Sequence, residues 1–418
     1  MIKKHIYRAT HVKKIDWHRL AEKVSGERIV FAIDVAKEDF FGSLIKRDGD
    51  VLQTLKWQHP NESPYLLEQL NQYVGTAGFE VVMEPSGVYG DALRFQFYQS
   101  GIDVYSVMPK KVFDSREIYD GVSSLHDAKS AWLIGKLHLE GLTQPWEAYT
   151  ENRRNQLALV DLLEWKQNQI GRERNHLESR LSRHWPEVSL SLELGSATLL
   201  ALIARYGSPE AVAKERREAA ALMRRVGGAM LAQEKICAVL ASAEHTLGVE
   251  CTKMERRLLM ELAQSQDKTR IAIDQIKKEV EALAEADSAL EQTRQLVGRV
   301  TAVVIQAKQG NVTEYASARS YLKSMGLNLK EKSSGKHQGQ LKITKRGPGI
   351  VRKYLYWAVL RLIRKEPVIQ SWYQRKVERD GGKGGKAITA LMRKLALALW
   401  YVGQGEQFDA SKLFCQNP

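Results

Sequence analysis

The chain has 418 residues, 44% of them hydrophobic, with 63 Lys and Arg against 49 Asp and Glu. That is enough for two or three domains with real cores, and it excludes disorder as the dominant state. The net charge of +14 is concentrated, because residues 321–418 hold 20 basic and 6 acidic side chains while the first 320 residues hold 43 of each. A basic segment of this kind points to a polyanionic partner.

Residues 1–27 are polar and basic and read as a peripheral extension. From Arg28 short apolar runs predict strands at 29–34, 40–46 and 51–57, the last two joined by the turn-forming pair Asp48-Gly49. A helix is expected over 63–74, a strand over 79–85, a helix over 88–101, a strand over 102–108, and helices over 109–118 and 126–140. Three hairpin-linked strands followed by strand–helix alternation predict a mixed sheet with helices on its faces over 28–145. This is the element order of the ribonuclease-H-like nuclease fold.

Strand signals vanish from Glu151 to about Ala286, within a helical coiled-coil region expected over 146–290. Leu163, Ile170, Leu177 and Leu181 form one apolar stripe on a long helix that Pro186 ends, and Ile273, Ile276, Val280 and Leu283 form another. The pair predicts an antiparallel coiled-coil hairpin that serves as an arm or dimer contact, around an Ala- and Leu-rich helical insertion at 187–250; the alternative is that each stripe packs on its own domain core. A mostly helical basic domain is expected over 291–418, with helices at 300–308, 316–325, 350–365, 367–378 and 386–403 and a polar loop between Gly326 and Gly349.

Three cysteines, Cys237, Cys251 and Cys415, are too few and scattered for a disulfide framework or a cysteine zinc site, and the histidines have no zinc-like spacing. The basic start lacks an apolar core of the secretory type, and no run of about 18 apolar residues occurs. A reduced, cytoplasmic location without a membrane span is the expectation.

Asp34 ends the first predicted strand and Glu84 the fourth. Residues at strand ends converge on one rim of an α/β sheet. With Asp127 from a later helix they would form an oxygen-rich site for Mg²⁺ or Mn²⁺, the arrangement that activates an attacking oxygen in phosphodiester chemistry. Taken singly, each acid reads as a cap or turn former. The three together in this strand order favour the metal site.

The segments FAIDVAKEDFFGSLI, VVMEPSGVYGDAL and HDAKSAWLI resemble the transposases of bacterial insertion-sequence family 110. RSYLKSMGLNLKEKSSGKHQGQLKITKRGPGIVRKYL and GGKGGKAITALMRKLALALWYVGQGEQFDASKLF extend the likeness through most of the chain, apart from the first residues and the 187–250 insertion. The resemblance implies an RuvC-like Asp-Glu-Asp-Asp domain and a serine transposase domain. It also implies a homo-oligomer, dimer or tetramer, that acts on DNA, is guided by a structured bridge RNA and associates with the bacterial nucleoid. Asp34, Glu84 and Asp127 match three of the four acids. The fourth falls on Ser124, a departure that lowers the charge of the site; the two expectations are that Asp120 or His126 compensates, or that metal-dependent activity is weakened.

In the same likeness the nucleophile falls on Ser334, or on Ser333 when counted back from Ile343-Thr344-Lys345. A serine hydroxyl attacks a phosphodiester only when its proton is taken and cations stabilise the developing charge. Lys336, Lys342, Lys345, Arg346, Arg352 and Lys353 surround the loop and would neutralise phosphates. Arg361, Arg364, Arg375 and Lys376 extend that face. Tyr354, Trp357, Trp372 and Tyr373 offer base stacking, although helical spacing favours a core role for Trp357 and Trp400. The Gly-rich run 381–386 and the helix-hairpin-helix-like stretch 294–310 are weaker signals. Two rival readings are a metal-dependent junction nuclease with water as nucleophile and a non-catalytic RNA- or DNA-binding protein.

Overall fold

A computed structural model describes residues 7–24, 26–75, 78–85, 87–331, 339 and 341–414. The chain divides into two compact units, residues 1–150 and 151–418.

The first unit runs β1 (Thr10–His11), α1 (Trp17–Val24), β2 (Ile29–Asp34), β3 (Asp39–Lys46), β4 (Val51–Gln58), α2 (Ser63–Tyr73), β5 (Phe79–Met83), α3 (Asp91–Gln99), β6 (Val104–Ser106), α4 (Pro109–Asp114), α5 (Asp127–Leu139) and β7 (Gln144–Pro145). Its sheet has the order β1-β4-β3-β2-β5-β6-β7. Strands β2, β3 and β4 form an antiparallel meander, and β5 and β6 add parallel to β2. Gly49, at φ 90°, makes the β3–β4 turn that the Asp-Gly pair predicted, and the Asp48 carboxylate accepts from the Asp50 amide at 2.8 Å.

β2 is apolar at five consecutive positions because both of its faces are covered. Ile29, Phe31 and Ile33 meet Leu66 and Leu70 of α2 and Leu93 and Phe97 of α3. The alternate residues Val30 and Ala32 meet Trp132, Leu133, Ile134 and Leu137 of α5. Gly135 lets α5 approach closely, since a Cβ there would lie 2.4 Å from Ile45 Cδ1 and 3.1 Å from the Ala32 Cβ.

Residues 10–24 are not peripheral. β1 pairs parallel to β4, and Val12, Trp17, Leu20 and Val24 are buried in the core under the sheet. The segment is basic overall, but its apolar residues all face inward.

The second unit runs α6 (Glu151–His184), α7 (Val188–Ser191), α8 (Ala197–Tyr206), α9 (Pro209–Lys214), α10 (Arg216–Gly227), α11 (Gln233–Glu244), α12 (Lys253–Ala286), α13 (Glu291–Val297), α14 (Arg299–Gln309), α15 (Ala318–Ser324), β8 (Leu329–Lys330), β9 (Lys342–Ile343), α16 (Gly349–Lys365), α17 (Pro367–Arg379) and α18 (Gly384–Gly403). α6 and α12 have 34 residues each and reach about 50 Å. They run antiparallel, because Gln169 Nε2 donates to Thr269 Oγ1 at 3.1 Å and Ser265 Oγ donates to Glu173 Oε1 at 2.7 Å, a higher number on one helix meeting a lower one on the other.

The two helices pair, and their ends enter separate cores. Val160, Leu163, Ile273, Ile276 and Val280 join the core of α14, α16 and α18. Leu177, Leu181, Leu259 and Ala263 join a second core with α8, α10 and α11, which the 187–250 insertion builds. A capping box, Thr252 with Glu255, starts α12. Among the described residues no helix is long and apolar enough to cross a membrane.

Candidate functional site

In the first unit β2 and β5 are parallel neighbours in a register that pairs Ile33 with Met83. The next position on each chain is Asp34 and Glu84, so the two carboxylates leave the same rim of the sheet. Asp127 is the first residue of α5, and the N-cap is His126, whose Nδ1 accepts from the Lys129 amide at 3.4 Å. Asp127 is therefore not occupied as a cap. Burial first, then the Glu84 and Asp127 carboxylates, push the half-buried Asp34 carboxyl from 3.8 to about 7, against a hydrogen bond from the Val35 amide.

Three acids that repel one another at a strand-end rim fit a hard divalent cation in charge and in donor type. As placed, the described His, Cys, Asp and Glu side chains form no metal-holding group of three or more. The rim thus offers the donors without a closed ligand cage.

The departure at position 124 is not repaired by Asp120. Ser124 is exposed in an irregular segment. Asp120 is committed elsewhere: its buried carboxylate accepts from Lys129 Nζ at 3.0 Å, from the Val122 amide at 2.9 Å and from the Tyr7 hydroxyl. Burial would raise its pKa, but these hydrogen bonds hold it below the usual carboxylate value. Lys129 is fully buried and also donates to the Val122 carbonyl at 2.6 Å, fastening the segment that leads to Asp127. Sequence reasoning missed this lock, whose partner Tyr7 lies 113 residues away from Asp120.

In the second unit a built stem flanks the basic segment 331–341. β8 pairs antiparallel with β9, matching Leu329 with Ile343 and Lys330 with Lys342. Below the ladder the Thr344 amide donates to the Asn328 carbonyl at 2.8 Å and the Lys345 amide to the Gly326 carbonyl at 2.9 Å. The two sides touch so closely that a Cβ on Gly347 would lie 2.3 Å from the Ser324 carbonyl oxygen. Arg352 closes the base by donating to the carbonyls of Met325 at 3.1 Å and Gly347 at 2.7 Å.

Ser333, Ser334 and Lys336 lie outside the described residues. Lys342, Lys345 and Arg346 are exposed around the stem, and Lys345 has φ 56°. The opposed pair Lys330–Lys342 sets like charges across the ladder, an arrangement that an anion relieves. Lys353 is exposed and donates to Gln167 Oε1 at 2.6 Å. Arg361 donates to the Leu296 carbonyl at 2.7 Å, and Lys376 pairs with Asp380.

The aromatic residues divide differently from expectation. Trp357, expected in the core, is 56% exposed, while Tyr354 is buried with its hydroxyl accepting from Gln167 Nε2 at 2.6 Å. Trp372 is not free for a base, since it stacks on Phe414 at 5.1 Å between centroids. Tyr373 and Trp400 pack against the helical core. In the stretch 294–310, Gly298 at φ 86° is the single residue between α13 and α14.

The first unit thus presents an acidic rim and the second a cationic hairpin stem. Residues 292–374, from α13 into α17 and across the stem, match the model of the Transposase IS116/IS110/IS902 family. Comparison with curated proteins finds no match.

Proposed function

We propose that the chain is a mobile-element DNA transposase that cuts and rejoins strands through a phosphoserine link. The family match over 292–374 carries this reading, because it spans the whole hairpin stem and the loop that contains Ser333 and Ser334. The β2-β3-β4 meander with β5 and β6 added in parallel supports an RuvC-like first unit.

Asp34, Glu84 and Asp127 would hold Mg²⁺ or Mn²⁺, which when bound supplies Lewis-acid stabilisation of phosphoryl oxygens. The serine hydroxyl, Ser334 in our assignment, would form an oxygen–phosphorus bond while the bond from phosphorus to one deoxyribose oxygen breaks and that oxygen takes up a proton. A hydroxyl end from a second strand then attacks the same phosphorus, and the serine leaves with a proton restored. One ester bond is made for each one lost, so no energy source is required. Lys342, Lys345 and Arg346 would hold the phosphates on either side. A structured guide RNA and assembly into a dimer or tetramer through the α6–α12 arm complete the proposal.

The test is strand transfer between two labelled DNA duplexes with Mg²⁺ and candidate RNA from the sequence flanking the gene. Ser334→Ala should abolish transfer with DNA binding retained, and transfer that persists in both Ser333→Ala and Ser334→Ala would remove the serine mechanism. The acid rim alone also suits a water-dependent junction nuclease, which cleavage without transfer would select.

A further inference from the structure

α16 buries one side and exposes another that packing does not explain. Ile350, Val351, Tyr354, Leu355, Ala358, Val359 and Leu362 are turned into the core. Lys353, Tyr356, Trp357 and Arg364 are exposed and repeat at helical spacing along the opposite side. Tyr356 is 38% exposed and Trp357 56% exposed, with ring centroids 5.4 Å apart at 81°. The pair leaves part of each ring in water, and that exposed part adds little to the fold.

The charge around the pair selects the occupant. α16 carries Arg352, Lys353, Arg361, Arg364 and Lys365 and no acid. A second copy using the same patch across a twofold axis would bring these cations against themselves. A nucleic acid brings phosphates to the cations and, where it is unpaired, base faces to the rings. A paired duplex keeps its bases stacked on each other and has none to offer.

We infer that the Tyr356–Trp357 face of α16 is a stacking platform for unpaired bases of a single-stranded nucleic acid. The inference rests on the reading of the chain as a nucleic-acid-handling protein, and it adds a site distinct from the hairpin loop. Lys353 and Arg364 flank the rings along the helix and hold the backbone of the bound strand. Gln167 of α6, bonded to both Tyr354 and Lys353, fixes this part of the helix in place.

The experiment measures affinity of the full chain for a mixed-sequence 20-nucleotide single-stranded DNA, the RNA of the same sequence and the corresponding DNA duplex. The variants are Tyr356→Ala, Trp357→Ala and Trp357→Phe. Stacking is worth about 1–3 kcal/mol per base, so each alanine variant should weaken single-strand binding by roughly 5- to 150-fold and duplex binding by less than about 2-fold. Trp357→Phe should recover most of the loss, and the salt dependence should stay unchanged. Loss on RNA alone assigns the platform to an RNA, loss on DNA alone to an opened DNA strand, and either supports it. Unchanged single-strand affinity with wild-type binding intact overturns this inference and spares the broader reading. Altered sedimentation with unchanged affinity assigns the face to self-association and also overturns it. A wild-type chain that binds none of the three probes sinks the broader reading as well.

Discussion

Replacing Asp34 with Asn removes a charge that its own neighbours oppose. In the folded chain burial and the Glu84 and Asp127 carboxylates lift the Asp34 carboxyl from 3.8 to about 7. An acid with a raised folded pKa prefers to be protonated in the folded state. Its contribution to stability is therefore full below about pH 4 and is lost as pH rises to about 7. At about 1.4 kcal/mol per pH unit the ceiling is about 4 kcal/mol. Solvent screening at a half-buried side chain, and sharing of the effect among three coupled acids, bring the expected value to about 2 kcal/mol. In EDTA at pH 8 Asp34→Asn should be more stable than wild type by about that amount, and at pH 4 the two should be equal. Urea titration read by hydrogen exchange of the 29–34 and 79–83 peptides measures it. Millimolar Mg²⁺ should then stabilise wild type and leave the variant unchanged. A variant no more stable than wild type at pH 8 would refute the electrostatic account of the rim.

The remaining predictions concern the elements that position the two sites. Lys129→Met leaves the buried Asp120 carboxylate without its cation and should cost about 3–5 kcal/mol, whereas Asp120→Leu combined with Lys129→Met should recover most of it; thermal melts of both variants decide this. Leu163→Ala, at a fully buried contact between α6 and the helical core, should cost about 2–5 kcal/mol in denaturant unfolding. Gly135→Val forces a side chain between α5, Ile45 and Ala32 and should cost about 1–3 kcal/mol, with faster exchange in α5 than in α2.

The central sheet was legible because β2 carries an unbroken apolar run, β5 carries one interrupted only by Glu80, and Asp48-Gly49 marks the turn. The long helices were legible from their stripes, and the exact ends were set by Pro186 and by the Thr252–Glu255 box. β1 was hidden because two residues, Thr10 and His11, carry no strand pattern and gain their place only from β4, far along the chain. The exposure of Trp357 was readable in the sequence, because position 357 falls outside the 351, 354, 355, 358, 362 stripe and lines up with Lys353 and Arg364, whereas aromatic spacing alone pointed to the core. At the acid rim Asp34 and Glu84 were legible as strand ends. The committed state of Asp120 was not, because Tyr7 and Lys129 meet it only through tertiary packing. No sequence feature distinguishes Arg352 as a brace of the loop base from the other cations around it.

The central claim is a serine-linked strand exchange, and the most direct measurement is the adduct itself. The full chain is incubated with Mg²⁺ and end-labelled junction DNA, denatured, digested with protease and nuclease, and the peptides are sequenced by mass spectrometry. The account predicts a nucleotide phosphodiester on the peptide spanning 331–341, at Ser334. Cleaved DNA with no modified peptide, or a modification on a residue outside that loop, would contradict it.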